Sequence, residues 1–466
     1  MLGRAVSEAI EVSTRGSPKE FGSIVPTTGV WAADSRQLFK PPLVSLVLIN
    51  WNYAAYVGEA IRSIENQDYP NLEILVVDNG STDASRSVIA DCVGDNGRAR
   101  IIHLEKNLGQ LGAFLDVFSQ IKGDFLTVVD ADDVLCPNFV SSHLQVHLAL
   151  PRSVAFTSSN VVEMAADGRT LTGGYAGFGT TREPLNRGLR PIDAALRLPT
   201  ISEADYLRLD QSTCTYSGAS RWIWGPGSSN VYRRSVLALV HQPPKQRSYF
   251  RAVDSYLNPL CQILGGSALI DRHLSAYRVH DANYFAARES LHGLKKGRLR
   301  IMKRLNQERR ELIHFLFQRP ELFQALLSPR RFWDAVYQLA EGLGPSNRKL
   351  VSDPAYLQLF IDNFARLRLA FGEAFLLTGL SRLLLSRDLR TVIRGAYGGR
   401  IPTYLRLELW KQRGGPIRAC IAWILSKALK RVPFRPRVKT KASSKETKAS
   451  SKETSRQGYS PGVVVE

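Results

Sequence analysis

The sequence predicts an α/β protein: a doubly wound, mostly parallel sheet with flanking helices, followed by a basic, mainly α-helical C-terminal region. Three observations carry this reading. From Leu43 onward short apolar runs alternate with stretches of helical periodicity. Several of those runs end abruptly in polar clusters, as ligand-binding strands of such sheets do. Charge is divided unevenly: residues 1–290 hold 27 basic and 29 acidic side chains, whereas residues 291–466 hold 35 basic and 13 acidic.

The elements follow in order. Residues 1–40 are polar, close on Pro41-Pro42 and read as a disordered leader. Val44–Ile49 is apolar apart from one serine, the mark of a strand buried on both faces. Val57, Ala60, Ile61 and Ile64 then make one helical stripe. Leu72–Val77, Arg100–Leu104 and Phe125–Val129 read as further strands, with helices over Thr82–Cys92, Gly109–Ile121 and Pro137–Leu150 between and after them. Val154–Ser159 resumes strand character, and Asn160–Leu171 reads as a hairpin turning at Asp167-Gly168. The glycines at 173, 174, 177 and 179 lack phosphate-loop spacing; a surface loop and a substrate-closing lid are both open readings.

Leu, Phe and Arg dominate from about Leu291 to Ile393, and Ile417–Val432 is amphipathic. The tail repeats Thr-Lys-Ala-Ser-Ser-Lys-Glu at 440–446 and 447–453, a low-complexity pattern expected to be disordered. The domain plan is therefore a leader (1–40), an α/β domain (41–290), a helical basic region (291–432) and a tail (433–466).

Composition excludes several classes. The total charge is +20 with 44% hydrophobic residues, which fits a globular chain and not a collagen or a wholly disordered one. The five cysteines form no Cys-x-x-Cys pair, which argues against a zinc site or a disulfide framework and fits a reducing compartment. The N-terminus lacks an apolar signal core, and no apolar run is long enough to span a bilayer. The expectation is a cytoplasmic protein, peripheral on the inner face of the cytoplasmic membrane if the basic end meets lipid.

Asp130-Ala131-Asp132-Asp133 follows an apolar strand. Clustered carboxylates repel one another and are costly to bury, and a divalent cation such as Mg²⁺ or Mn²⁺ relieves both problems. A surface acidic turn is the plain alternative. His143 and His147, four apart on a helix, lack a third ligand and read as structural.

Four segments taken together resemble the inverting family-two glycosyltransferases. They are LVLINWNYAAYVGEAIRSIENQ (46–67), EILVVDNGSTDAS (73–85), NLGQLGAF with GDFLTVVDADD (107–133), and GPGSSNVYRRS, VDSYL and LSAYRVHDAN between 225 and 283. The resemblance implies the A-type nucleotide-sugar fold and a nucleotide-sugar donor, UDP-linked before GDP or dTDP forms. It places Asn50, Asn52, Asp78, Asn107 and Gly109 beside the nucleotide, Asp130 and Asp132 at the metal and ribose-diphosphate, and His280 near the diphosphate as a further metal ligand. Asp254 matches the general base, although Val253 stands where relatives carry a first acidic residue. Asp116 stands where an asparagine is common and is not assigned a catalytic role. Arg278 meets either a phosphate or an internal carboxylate, and Asp83 caps a helix.

Trp222, Trp224 and Gly225–Ser228 are candidates for the border of the acceptor pocket, because sugar rings stack on aromatic faces; core tryptophans are the alternative. The acceptor is expected to be a saccharide, a lipid-linked sugar or another hydroxyl compound. Ile417–Val432 with Lys439, Lys441, Lys445 and Lys448 suits an anionic membrane surface, or else packs on the preceding helices. Two other classes stay in view: a nucleic-acid-binding protein, disfavoured because the basic residues lack interleaved aromatics, and an inactive nucleotide-sugar-binding relative.

Overall fold

The computed structural model describes residues 40–94, 99–175, 178–179, 186–187, 189, 197–218, 222–242, 250, 252–281, 283, 298–341, 354–403 and 405. The leader before Lys40, the amphipathic stretch 417–432 and the tail lie outside the described residues. The chain divides into two compact units, Met1–Arg400 and Ile401–Glu466. Described residues of the second are limited to 401–403 and 405.

The first unit is organised by one sheet. Strands β1 (Val44–Asn50), β2 (Leu72–Asp78), β3 (Ala99–His103) and β4 (Phe125–Asp130) lie in the order β3-β2-β1-β4, all parallel. Every residue of β1 is buried, the two-sided burial that its apolar run predicts. Helix α1 (Val57–Glu65) turns its Val57, Ala60, Ile61 and Ile64 stripe into the core beneath β1 and β2. Helix α2 begins at Ser85, three residues later than expected, because Asp83 holds a turn: its carboxylate accepts the Ser85 N–H at 3.0 Å and the Ala54 N–H at 3.1 Å. Helix α3 runs from Gln110 to Val117 and tightens into a 3₁₀ turn over Phe118–Gln120.

Beyond β4 the sheet is mixed, a departure from the mostly parallel expectation. Strands β5 (Val134–Leu135), β6 (Phe156–Ala165), β7 (Thr170–Thr172), β8 (Asn186–Arg187), β9 (Thr213–Tyr216), β10 (Asn230–Arg233) and β11 (Ser267–Val279) extend it as β4-β10-β6-β11-β9-β8. Strand β10 inserts antiparallel between β4 and β6, so β6 again runs parallel to β4, as does its parallel neighbour β11. The β6–β7 hairpin forms where expected, with Gly168 at φ +88° in its turn.

Helix α4 (Phe139–Ala149) lies beneath β6, and its two histidines are structural. His143 Nδ1 meets Thr157 Oγ1 at 2.7 Å, His147 Nε2 meets the Val231 carbonyl at 3.0 Å, and burial holds both rings neutral by pushing their pKa values down. Helices α5 (Glu203–Ser212), α6 (Arg234–Val240) and α7 (Asp254–Gly265) complete the sheet's surroundings.

Among the described residues six helices follow: α8 (Arg298–Gln318), α9 (Pro320–Leu326), α10 (Pro329–Glu341), α11 (Pro354–Phe371), α12 (Glu373–Leu383) and α13 (Ser386–Ala396). Buried Phe317, Phe323, Phe332, Trp333, Phe360 and Phe371 form their aromatic core. No described helix is long and apolar enough to cross a membrane. Gly379 on α12 lies directly against the Trp333 ring, with no space for a Cβ. Gly379→Ala is therefore expected to lower stability by about 1–3 kcal/mol, measured by urea unfolding, since overpacking outweighs the gain in helix propensity.

Candidate active site

Register brings the polar clusters together. Asn50 pairs with Asp78 across β1–β2, and Ile49 pairs with Asp130 across β1–β4. Three chemistry-bearing residues thus end adjacent parallel strands in one row. Strand order reverses beside β1, and the carboxyl edge at such a switch point is where open α/β sheets bind ligands. The antiparallel run of β10 brings Gly225–Ser229 to the same edge, while parallel β11 delivers Arg278, Val279 and His280 there.

At the first two strand ends the side chains knit the loops together. Asn50 is fully buried and donates to Ser81 Oγ at 3.1 Å, while its Oδ1 has no partner among the described residues. Asn52, at φ +56°, accepts the Thr82 N–H at 2.8 Å. Asp78 is fully buried; burial raises its pKa, but the Ser81 and Arg86 hydrogen bonds outweigh that and hold the carboxylate below its ordinary range. Arg86 Nε lies 2.7 Å from Asp78 Oδ2. Gly80, at φ +70°, lets its turn lie against the Lys106-Asn107 backbone, where a Cβ would come within 2.6 Å. Asn107 Oδ1 accepts from Asn79 Nδ2 at 3.0 Å and from Gly109 N at 2.7 Å, and Gly109 opens α3.

The third strand end carries the charge. One carboxylate oxygen from each of Asp130, Asp132 and Asp133 falls within 4.8 Å of the others. Their surroundings separate them. Asp133 is spent internally: Ser228 Oγ donates to it at 2.7 Å and the Arg278 backbone N–H at 3.0 Å. Asp132 Oδ2 meets His280 Nε2 at 3.0 Å and Asn283 Nδ2 at 3.4 Å. Asp130 receives the Gln110 amide, and its backbone N–H donates to Ser228 Oγ at 3.0 Å. Burial, then the charges of Asp132 and Asp254, push the Asp130 pKa up to about 8. Hard, mutually repelling oxygen donors fit a divalent cation, with Asp130 and Asp132 as the carboxylates that remain to hold it.

Asp254 begins α7 beside this cluster. Its Oδ2 and that of Asp130 each lie 3.7 Å from the point a Cβ on Gly227 would occupy. One oxygen of each carboxylate thus lies beside the same point at Gly227. Burial raises the Asp254 pKa to about 7, and the Glu308 charge on α8 adds to the rise. Glu308→Gln is therefore expected to lower the Asp254 pKa, read from the pH titration of its carboxyl carbon by NMR, since losing a neighbouring negative charge eases its ionisation.

Other residues sort differently. Trp224 is buried, donates to Ser267 Oγ at 2.9 Å and belongs to the core. Trp222 is 38% exposed and stands edge-on to Trp224, so it is the tryptophan of the pair with an accessible face. Gly225 donates its N–H to Ser158 Oγ at 3.0 Å, and a Cβ there would press within 2.5 Å of the Ser159 carbonyl. Arg278 resolves toward internal partners: Glu59 at 2.6 Å, the Asp132 carbonyl at 2.8 Å and the Ala166 carbonyl at 2.9 Å, with the Tyr56 ring 5.1 Å away. Asp116 is exposed on α3.

Sequence reasoning missed Gln110, Tyr53, Tyr56, Asn283 and Glu308, and marked Ser228 only as part of the Gly225–Ser228 acceptor stretch. Tyr53 and Tyr56 pack around the His280 ring at 5.7 and 4.9 Å, and burial with the nearby aspartates pushes the Tyr53 hydroxyl pKa up. Their position just after Asn50-Trp51-Asn52 was a usable signal. Glu308 had none, because it joins the site from a helix more than fifty residues further along the chain.

Residues 45–201 match the family model described as Glycosyl transferase family 2. An uncharacterized glycosyltransferase of Nostoc sp. is 29% identical over 244 residues, 52% of this chain and 66% of that protein. The GalNAc(5)-diNAcBac-PP-undecaprenol beta-1,3-glucosyltransferase of Campylobacter jejuni is 31% identical over 105 residues, 22% of this chain and 34% of that protein. The matches thus span just under two thirds of the first relative and about a third of the second. Among solved structures, S. aureus TarS 1-349 in complex with UDP-GlcNAc aligns with a TM-score of 0.39 at 12% identity, over 76% of this chain and 91% of that one. Residues 45–201, which include the strand ends that carry Asn50, Asp78 and Asp130, are the part of the chain that is similar to glycosyl transferase family 2.

Proposed function

We propose that this protein transfers a sugar from a nucleotide-sugar donor, UDP-linked in the first instance, to a hydroxyl acceptor with inversion at the anomeric carbon. The acceptor class is a saccharide or a lipid-linked sugar, in the synthesis of a polysaccharide or glycoconjugate. Residues 41–290 are the catalytic domain in this reading, and 291–432 a basic helical region. The observation that carries it is the placement of the Asp130 and Asp254 carboxylates around one space at Gly227, on the sheet edge where Asn50 and Asp78 also end.

Asn50, Asn52, Asp78, Asn107 and Gly109 border the nucleoside in this proposal; the unpartnered Asn50 Oδ1 supports it as an acceptor for a donor group of the ligand. Asp130, Asp132 and His280 would hold a divalent cation, Mn²⁺ or Mg²⁺, whose charge offsets that of the diphosphate. Asp254 accepts the proton of the acceptor hydroxyl as its oxygen bonds to the anomeric carbon, and the nucleoside diphosphate departs from the opposite face. A pKa of about 7 suits that role: the carboxylate is ionised in a useful fraction near neutrality yet basic enough to take a proton. Trp222 offers a partly exposed apolar face for the acceptor in this proposal.

The test is a thermal-shift panel of UDP, GDP and dTDP with and without Mn²⁺. A nucleotide that raises Tm only with the cation supports the reading; a panel in which none binds overturns it. Peripheral association through 417–466 belongs to the same proposal, and flotation with anionic liposomes that is unchanged by deleting this segment would sink it.

A further inference from the structure

We infer that Gln110 is a positioning residue that ties the cation-side carboxylate to the helix carrying the base. This rests on the roles proposed above for Asp130 and Asp254. Gln110 is the first residue of α3, and its amide faces two elements that are far apart in sequence. Its Nε2 donates to Asp130 Oδ1, and its Oε1 accepts the backbone N–H of Val253 at 2.8 Å. Val253 is the N-cap of α7, and Asp254 is that helix's first residue.

Chemistry dictates the orientation of the amide. A carboxylate oxygen needs a donor and a backbone N–H needs an acceptor, so turning the amide over would set like against like at both ends. Neither an aliphatic side chain nor a carboxylate offers both functions. The link also has a consequence at each end. At Asp130 it occupies Oδ1 and leaves Oδ2 on the Gly227 side, the oxygen that shares that space with Asp254 Oδ2. At α7 it satisfies one of the N–H groups that a helix start leaves without an intrahelical partner. That matters here because Val253 has an apolar side chain and brings no polar group of its own to hold the helix start. Gln110 thus sets the separation between the two carboxylates, a geometry in which a displacement of about 1 Å can cost a hundredfold in rate.

Three full-length variants test it: Gln110→Leu, Gln110→Glu and Gln110→Leu in an Asp254→Asn background. Amide hydrogen exchange reads the tether without any ligand. In Gln110→Leu the peptide containing Val253 should exchange about tenfold faster with the central strands unchanged, while Gln110→Glu, which keeps the acceptor, should stay slow. Hydrolysis of UDP-glucose, GDP-mannose or dTDP-glucose, whichever the wild type cleaves with Mn²⁺, reads the consequence. Gln110→Leu should lower kcat at least about tenfold and shift KM by no more than about threefold. In the Asp254→Asn background it should add less than about twofold, because the separation that Gln110 sets no longer matters once residue 254 cannot accept a proton. Wild-type exchange at Val253 in Gln110→Leu, or an equal loss of rate in both backgrounds, overturns the inference. Full turnover by Asp254→Asn alone would instead remove the proposed base, and the exchange result would still judge the tether.

Discussion

Asp254→Asn is expected to lower sugar transfer by about a thousandfold while leaving cation-dependent nucleotide binding within about threefold of wild type. The substitution keeps the size of the side chain and removes its capacity to accept a proton. Asp254 is buried at the start of α7 and lies across the Gly227 space from Asp130. The wild-type pH profile supplies the second half of this result. With the carboxyl pKa raised to about 7, kcat/KM should fall tenfold per pH unit well below that value and level off above it. The variant should lose this limb. Steady-state kinetics from pH 5 to pH 9 beside a nucleotide titration is the measurement. An Asp254→Asn enzyme with unaltered turnover would exclude the carboxylate as the base.

Asp132→Asn should remove Mn²⁺-dependent nucleotide binding by about a hundredfold or more in a protein that remains folded. Asp132 sits between Asp130 and His280, and its Oδ2 accepts from His280 and Asn283. An amide there keeps the volume but sets an uncharged group where cation affinity depends on paired carboxylates. The same change alters stability against pH. In the folded state Asp130 has its pKa raised from 3.8 to about 8 by burial and by the charges of Asp132 and Asp254. A raised folded pKa means that the native protein binds the proton more tightly than the unfolded chain does. Its contribution is fully present below pH 3.8 and is lost as pH rises toward 8. Without divalent cation, Tm should therefore decline across that window. Added Mn²⁺ should reverse the decline in wild type, and Asp132→Asn should both flatten it and abolish the Mn²⁺ effect. Calorimetry at a series of pH values with Mn²⁺ or EDTA decides; a variant that still responds to Mn²⁺ as wild type does would displace Asp132 from the cation site.

Much of the sheet was legible because burial and periodicity are local properties of the chain. The runs at 44–49, 72–77 and 125–129 are apolar because both faces of those strands are covered, and each becomes a strand within a residue or two of its expected end. The helices start less predictably, as Asp83 shows, because a side chain accepting two backbone N–H groups can delay helical geometry by a turn. The mixed half of the sheet was less legible. Strand β10 is four residues long, and its antiparallel insertion between β4 and β6 depends on pairing partners over seventy residues away in the chain.

The site divides along the same line. Residue types and their order along the chain were enough to mark Asn50, Asp78, Asp130, Asp132 and Asp254, since the chemistry of a carboxylate after an apolar strand is visible in one dimension. Which of those carboxylates stay available was not. Three neighbouring aspartates look alike in the sequence, yet Ser228 and the Arg278 backbone occupy Asp133 while Asp130 and Asp132 keep the faces they turn to the Gly227 space and to His280. Those partners arrive on β10 and β11, and Glu308 arrives on a helix later still. By itself, the sequence determined the strand ends and the acidic groups they carry, because hydrophobic burial and charge are written residue by residue. Only the tertiary structure decided which groups meet and how burial shifts their proton affinities, because desolvation and Coulomb interaction depend on distances that chain order does not contain.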